Sequence, residues 1–287
     1  MTAGSAPGRP GPDAAEAYAL GADVAESARL QRQSDELRLE AAALLAKIDL
    51  LPGHSAIDVG CGPSGILDLL AAAVGAGGRT VGVDANPAHV ALARQHAQQS
   101  GLNGVDVLIA DARRTGLSKE SFDLVHARTL LVTIPRPAEV LAEMVRLAKP
   151  GRWIASQEPD VDVGICYPQL DAWDRLVDLF RAGFSRSGAD LIIGRKLAEL
   201  YRLAGLEQIG VMSHAASYPA GHTRRTIIPD LVRSLRPVIV ERGLAGEAEL
   251  ENLDREVREH LADPRTVMMP HMMFAVWGRK PGGHRSA

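Results

Sequence analysis

Cysteine is scarce: Cys61 and Cys166 are the only two in 287 residues. Two thiols cannot build a disulfide framework, which fits a reducing compartment. Long apolar runs are missing as well. The 46% hydrophobic content is enough to fill a core, yet no window approaches the ~20 consecutive apolar residues that cross a bilayer. The opening MTAGSAPGRPGPD has neither a basic start nor an apolar h-region, so no secretory leader is expected and a cytoplasmic location is. There is no surplus of positive charge. Lys and Arg number 32 against 35 Asp and Glu, a net charge of −3, which gives little support for binding along a nucleic-acid backbone. Basic pairs such as Arg224-Arg225 read as solvated surface or a local anion contact. No His, Cys or acidic spacing matches a zinc site, and H-E-x-x-H is absent, so no metal is expected. These absences leave a small-molecule partner as the favoured one.

What is present is a rhythm. Residues 1–14, rich in Gly, Pro and Ala, read as a disordered tail. The remainder, 15–280, reads as a single domain. A helical apolar pattern at 25–48 closes at Leu51-Pro52-Gly53. Short apolar strands follow at 56–59, 80–84, 105–110, 122–126 and 152–157, separated by helical stretches at 65–74, 87–100 and 137–148. Strand and helix in repeated alternation predict a doubly wound parallel α/β sheet. Its core spans 51–160 and 195–215 plus 272–280. Beyond 157 the rhythm breaks into helical insertions at about 165–190 and 227–262. Between them come a helix near 195–204 and a strand near 207–214, and an apolar strand at 272–277 ends the pattern. With no crossover helix immediately before it, that last strand can join the sheet antiparallel. The insertions fall after strands five and six, on the side where open α/β sheets bind ligands, and are expected to form a helical cap. Trp173, Leu176, Phe180 and Phe184 share one face of the first cap helix, read as core packing ahead of pocket lining.

The first strand runs into Gly60-Cys61-Gly62-Pro63-Ser64-Gly65, a G-x-G-x-x-G loop of the kind that carries dinucleotides. Its neighbours argue for a different occupant. Asp58 stands two residues before Gly60, where a carboxylate would repel a pyrophosphate and attract an ammonium or sulfonium group. Asp84 ends the second strand and can accept two ribose hydroxyls, while Asp111 in VLIADAR, with Ala112 beside it, suits an adenine amino group.

The segments AIDVGCGPSG, TVGVDANP, VLIADARR, FDLVHARTLL and LAKPGRWIASQEPD, in this order, resemble the successive motifs of class I S-adenosylmethionine-dependent methyltransferases. MMFAVWGRKP resembles the antiparallel last strand of that seven-stranded, Rossmann-like fold. The opening from Tyr18, YALGADVAESARLQRQSDEL, is similar to the start of bacterial small-molecule and natural-product methyltransferases. The resemblance implies that Asp58, Gly60, Cys61 and Gly62 hold the methionine part of the cofactor, Asp84 the ribose, and Asp111 with Ala112 the adenine. Ala85 and Asn86 flank the adenine, and Tyr18 and Gln33 reach over from the N-terminal helix. Arg128 joins the set, orienting an anionic group or bracing that helix. Where catechol-type relatives place a metal-binding Asp, and base-methylating ones Asn/Asp-Pro-Pro-Tyr, this chain reads HARTLL. Neither chemistry is implied. His126, Glu158 and His222 are the candidates for a general base, if one is used. O-, N- and C-acceptors stay open, as does a homo-oligomer in which the N-terminal helix packs over a neighbour. A relative that binds the cofactor but cyclises or rearranges its substrate is the alternative, with an NAD-dependent oxidoreductase behind it.

Overall fold

The computed structural model describes residues 24–185 and 187–282. The tail at 1–14 and the candidate contact Tyr18 lie outside the described residues. The chain opens with two helices, α1 (Val24–Glu36) and α2 (Arg38–Leu45). Alternation follows: β1 (Ser55–Val59), α3 (Leu67–Val74), β2 (Arg79–Asp84), α4 (Pro87–Gln99), β3 (Val105–Ile109), β4 (Phe122–Arg128), α5 (Pro137–Leu147) and β5 (Ala148–Asp160). Next come β6 (Ile165–Tyr167), α6 (Asp171–Phe184), α7 (Ile193–Leu203), β7 (Glu207–His214), α8 (Ile227–Glu241), α9 (Glu247–Ala262), β8 (Val267–Met269) and β9 (Met272–Arg279).

Seven strands form one sheet in the order β3-β2-β1-β4-β5-β9-β7. β1 to β5 pair in parallel, and β9 runs antiparallel to both β5 and β7. The order reverses between β1 and β4, which opens a crevice at their carboxyl ends. Buried strands in such a sheet read as nearly continuous apolar runs, and β4 is buried at every position. The helices bury one stripe each. Val140, Leu141, Met144 and Leu147 of α5 pack into the main core with Val125 and Ile154, while Ala41 and Leu44 of α2 cover the opposite face beside Leu124 and Ala155.

Two features depart from the sequence pattern. The helix expected over 25–48 is interrupted at Leu37, whose φ of −96° and ψ of 12° leave the helical region. The interruption buries Leu37 and lets its carbonyl accept from Arg128 Nη1 at 3.2 Å. β6 and β8 were not expected; they form a separate antiparallel pair, Ile165 opposite Met269 and Tyr167 opposite Val267. At three residues each, they are too short to show alternation. The two helical insertions do close on one another. Trp173, Leu176, Phe180 and Phe184 of α6 sit in one apolar cluster with Ile228, Val232 and Leu235 of α8 and Val257 of α9. Gly183 lets α8 approach, since a Cβ there would come within 3.0 Å of Leu235. No helix of the described residues is long and apolar enough to cross a membrane.

Candidate functional site

The β1–α3 loop sits over the crevice and needs its glycines. Gly60, Gly62 and Gly65 take positive φ of 70°, 58° and 56°, a region in which a side chain is strained. A Cβ on Gly65 would collide with the Asp58 carboxylate, whereas at Gly62 it would meet nothing within 4 Å. Gly62 therefore faces open space, as a backbone that approaches a ligand must. The amides of Gly60 and Cys61 both donate to the Val83 carbonyl, at 2.8 and 3.0 Å, which ties the loop to β2.

Beside this loop lies a cavity of about 410 Å³, within the range that small-molecule sites occupy. Gln33, Asp58, Gly60, Cys61, Gly62, Asp84, Ala85, Asn86, Asp111, Ala112 and Arg128 all line it. The carboxylates are held from behind. Asp84 accepts from the Gly62 amide at 2.9 Å and the Asn86 amide at 2.8 Å. Asp58 accepts from the Ile66 amide at 3.0 Å, and its other oxygen lies 2.8 Å from His126 Nδ1. Asp111 takes the Arg113 amide at 2.8 Å and Arg113 Nη2 at 2.8 Å. Burial pushes the Asp111 carboxyl up, but the Arg113 hydrogen bonds and charge outweigh it and hold the pKa below the ordinary carboxylate value. Burial, followed by the charges of Asp84 and Asp58, drives the Cys61 thiol well above its usual pKa. Cys61 is thus a protonated thiol in a negative field, not a nucleophile.

Arg128 is the opposing charge. Its Nη2 donates to Ser34 Oγ at 2.7 Å and to the Gly65 carbonyl at 3.4 Å, so one guanidinium joins α1, the Leu37 interruption and the glycine loop. Gln33 Nε2 reaches Thr129 Oγ1 at 3.3 Å. Thr129 has a positive φ of 51° and starts the turn through which Leu130, Thr133 and Ile134 line the cavity.

The candidates for a general base stand elsewhere. His126 is fully buried behind Asp58 and does not line the cavity. Because a carboxylate only accepts, Nδ1 carries the His126 proton and Nε2 is left without a partner. Glu158, expected near the acceptor, is fully buried and accepts the amides of Leu130, Leu131 and Val132 at 3.0, 2.9 and 3.1 Å. Burial raises its pKa to about 7 against the lowering effect of those amides. Its carboxylate shapes the Thr129 turn. Asp160 is bound by Arg195. His222 accepts the Arg224 amide at 3.0 Å and caps a short 3-10 turn. The helices α6, α8 and α9 contribute nothing to the lining; their aromatic face is spent on the cap's own core.

Sequence reasoning passed over Ser34, His89, Arg113 and Thr129, which also line the cavity. His89 could have been found: it lies in the first turn of α4, five positions after Asp84, and its Nδ1 stands 3.5 Å from that carboxylate. Among the described residues no group of three or more His, Cys, Asp or Glu could hold a metal ion.

A family model for a methyltransferase domain matches residues 50–200. An uncharacterised 37.1 kDa protein in a transposon of Streptomyces fradiae is 34% identical over 173 residues, covering 60% of this chain and 49% of that protein. The chain thus spans about half the length of that relative. Demethylmenaquinone methyltransferase of Bacillus cereus is 29% identical over 187 residues, 61% of this chain and 79% of the relative. A solved candidate methyltransferase from Bacillus halodurans C-125 matches at TM-score 0.58 and 17% identity, covering 84% of this chain and 98% of that one; at that identity the likeness is one of fold.

Proposed function

Because the chain belongs to the methyltransferase domain family, with S-adenosylmethionine as its cofactor, we propose that it methylates a small-molecule acceptor brought to the cavity beside the glycine loop. One observation carries the choice of occupant: three carboxylates, Asp58, Asp84 and Asp111, ring a single cavity at a loop whose Gly62 faces open space. A diphosphate would meet that field with repulsion; an ammonium and a sulfonium would be attracted.

The residues fit that cofactor in parts. Asp84 keeps lone pairs free of the Gly62 and Asn86 amides and would take the ribose hydroxyls. Asp111, oriented by Arg113, would take the adenine amino group, with Ala112 against the ring. Asp58 and the loop backbone would hold the amino-acid end. When bound, the cofactor supplies a methyl group on a good leaving group. The protein's task is then orientation, which can contribute roughly 7–11 kcal/mol in favourable cases. Arg128 serves that task by fixing α1 against the loop, and Leu30, Leu130 and Ile134 present apolar walls that keep water out. His126 holds Asp58 in place, and Glu158 holds the Thr129 turn.

Demethylmenaquinone, the substrate class named for the Bacillus cereus relative, is the first acceptor to try, alongside bacterial secondary metabolites. Titration calorimetry with S-adenosylhomocysteine and NAD tests the donor, and transfer of label from methyl-labelled cofactor tests the reaction. Binding of S-adenosylhomocysteine with no NAD response is expected. Tight NAD binding alone would overturn the reading. Turnover without label would move the chain to the cyclising alternative.

A further inference from the structure

Asp84 ends β2 and α4 begins three residues later, so the first turn of α4 folds back beside that carboxylate. Asn86 caps the turn by accepting the Ala88 amide at 2.9 Å, and Pro87 opens it, where a missing N–H costs nothing. His89 follows on the inward side. It is 5% exposed, and with Ala85, Asn86 and Pro87 it lines the cavity beside the glycine loop. Val90 and Ala93 of the same helix enter an apolar cluster with Cys61 and Leu67. An imidazole is different, because it brings two ring nitrogens that need partners.

The two nitrogens are placed unequally. Nε2 is shielded from solvent and has no hydrogen-bond partner among the described residues. Nδ1 lies 3.5 Å from Asp84 Oδ1, beyond hydrogen-bond length. A carboxylate only accepts, so the ring proton belongs on Nδ1. On Nε2 it would be a buried donor without an acceptor, and the lone pair left on Nδ1 would face the carboxylate charge. Asp84 is itself half used. Oδ1 accepts the Asn86 amide at 2.8 Å and Oδ2 the Gly62 amide at 2.9 Å, which leaves an acceptor position on each oxygen. A hydroxyl that donates to Oδ1 brings its own oxygen beside the Nδ1 proton. Only a group that donates and accepts at once can serve both neighbours.

We propose that His89 is a cofactor-binding residue: its Nδ1–H donates to the oxygen of one ribose hydroxyl while that hydroxyl donates to Asp84 Oδ1. The second hydroxyl is left to Oδ2. Replacing the first hydroxyl by hydrogen takes away the common partner of Nδ1 and Oδ1, and with it everything His89 contributes. The assignment rests on the methyl-donor reading for the identity of the cofactor and on the Asp84–His89 geometry for the ribose.

The test is calorimetry on the full chain with S-adenosylhomocysteine and its 2′-deoxy and 3′-deoxy analogues, in the native protein, His89→Leu and His89→Asn. Leucine removes the donor, whereas asparagine keeps an N–H near the Nδ1 position. Leucine should weaken S-adenosylhomocysteine several-fold, and asparagine should recover most of that affinity. One of the two deoxy analogues should bind the native protein and His89→Leu alike, which identifies the hydroxyl. A packing role would weaken all three ligands equally; that result, or an unchanged S-adenosylhomocysteine affinity in His89→Leu, overturns the proposal. The tautomer is read on the native, ligand-free chain by 15N NMR of the imidazole, the His89 signal being assigned by its loss in His89→Asn. The proton should sit on Nδ1, and a proton on Nε2 overturns the proposal as well. If the native protein does not bind S-adenosylhomocysteine, the series is repeated with adenosine, its 2′-deoxy and its 3′-deoxy analogues. The same His89 pattern there would keep the ribose pair and sink the donor reading, and no adenosine binding would sink both.

Discussion

Glu158→Gln isolates a buried carboxylate whose charge the fold holds at a cost. The group is fully buried, and its pKa moves from the ordinary 4.5 to about 7. Between those values the folded chain binds the extra proton. The contribution to stability is therefore complete below 4.5 and is lost as pH rises through 7. Integrating between pH 5 and pH 8 gives a loss of about 2.5 kcal/mol. His271 runs the other way, since its folded pKa is depressed and its contribution grows as pH rises through the unfolded value. The raw pH profile of the native protein thus mixes two signs. Glutamine at 158 keeps much of the shape and cannot ionise, so the stability difference between native protein and variant removes the His271 effect. Urea unfolding at pH 5, 6, 7 and 8 measures it. The native protein should lose about 2.5 kcal/mol relative to Glu158→Gln across that range. Affinity for S-adenosylhomocysteine should be lower in Glu158→Gln than in the native protein at pH 8, because the carboxylate orders the turn that brings Leu130, Thr133 and Ile134 to the cavity. A difference that stays flat with pH would refute the assignment of a strained, proton-binding Glu158.

Three other substitutions probe separate parts of the architecture. Gly65→Ala must place a Cβ at φ 56° against the Asp58 carboxylate; strain of about 1–3 kcal/mol and loss of S-adenosylhomocysteine binding are expected, and a calorimetric titration equal to the native one would contradict the loop geometry. Asp84→Asn keeps the shape but removes the charge facing the Gly62 and Asn86 amides. A charge-assisted hydrogen bond of ~1.5–3 kcal/mol translates to at least a tenfold weaker product affinity by calorimetry, and an unchanged Kd would remove Asp84 from the site. Arg225→Met strips three carbonyls of their donor and should lower unfolding free energy by at least ~2 kcal/mol. An unchanged thermal melt would refute that role for Arg225.

The sheet was legible because its evidence is local and repeated. β7 begins and ends where the pattern places it, since alternation is a property of contiguous residues. β5 runs on to Asp160, beyond the expected 157, because its last residues are ordered by pairing with Met272 and Met273 of β9. That information lies more than a hundred positions away. The same holds for the interruption at Leu37, which nothing in the sequence around it announces. It exists where Arg128, ninety-one residues on, takes the carbonyl.

The site divides along the same line. The glycine loop and the carboxylates of Asp58, Asp84 and Asp111 follow the ends of consecutive strands, so position in the alternation is enough to bring them to one crevice. The roles of His126, Glu158 and His222 depend on who meets whom in three dimensions. Each carries the residue type of a general base, and each is occupied by the scaffold: Asp58, three backbone amides and the Arg224 amide respectively. The pair Arg224-Arg225, which reads from the sequence as solvated surface or a local anion contact, is likewise placed by distant partners. Both side chains are buried, Arg225 against the carbonyls of Tyr218, Asp263 and Thr266 and Arg224 against His271 and Glu36.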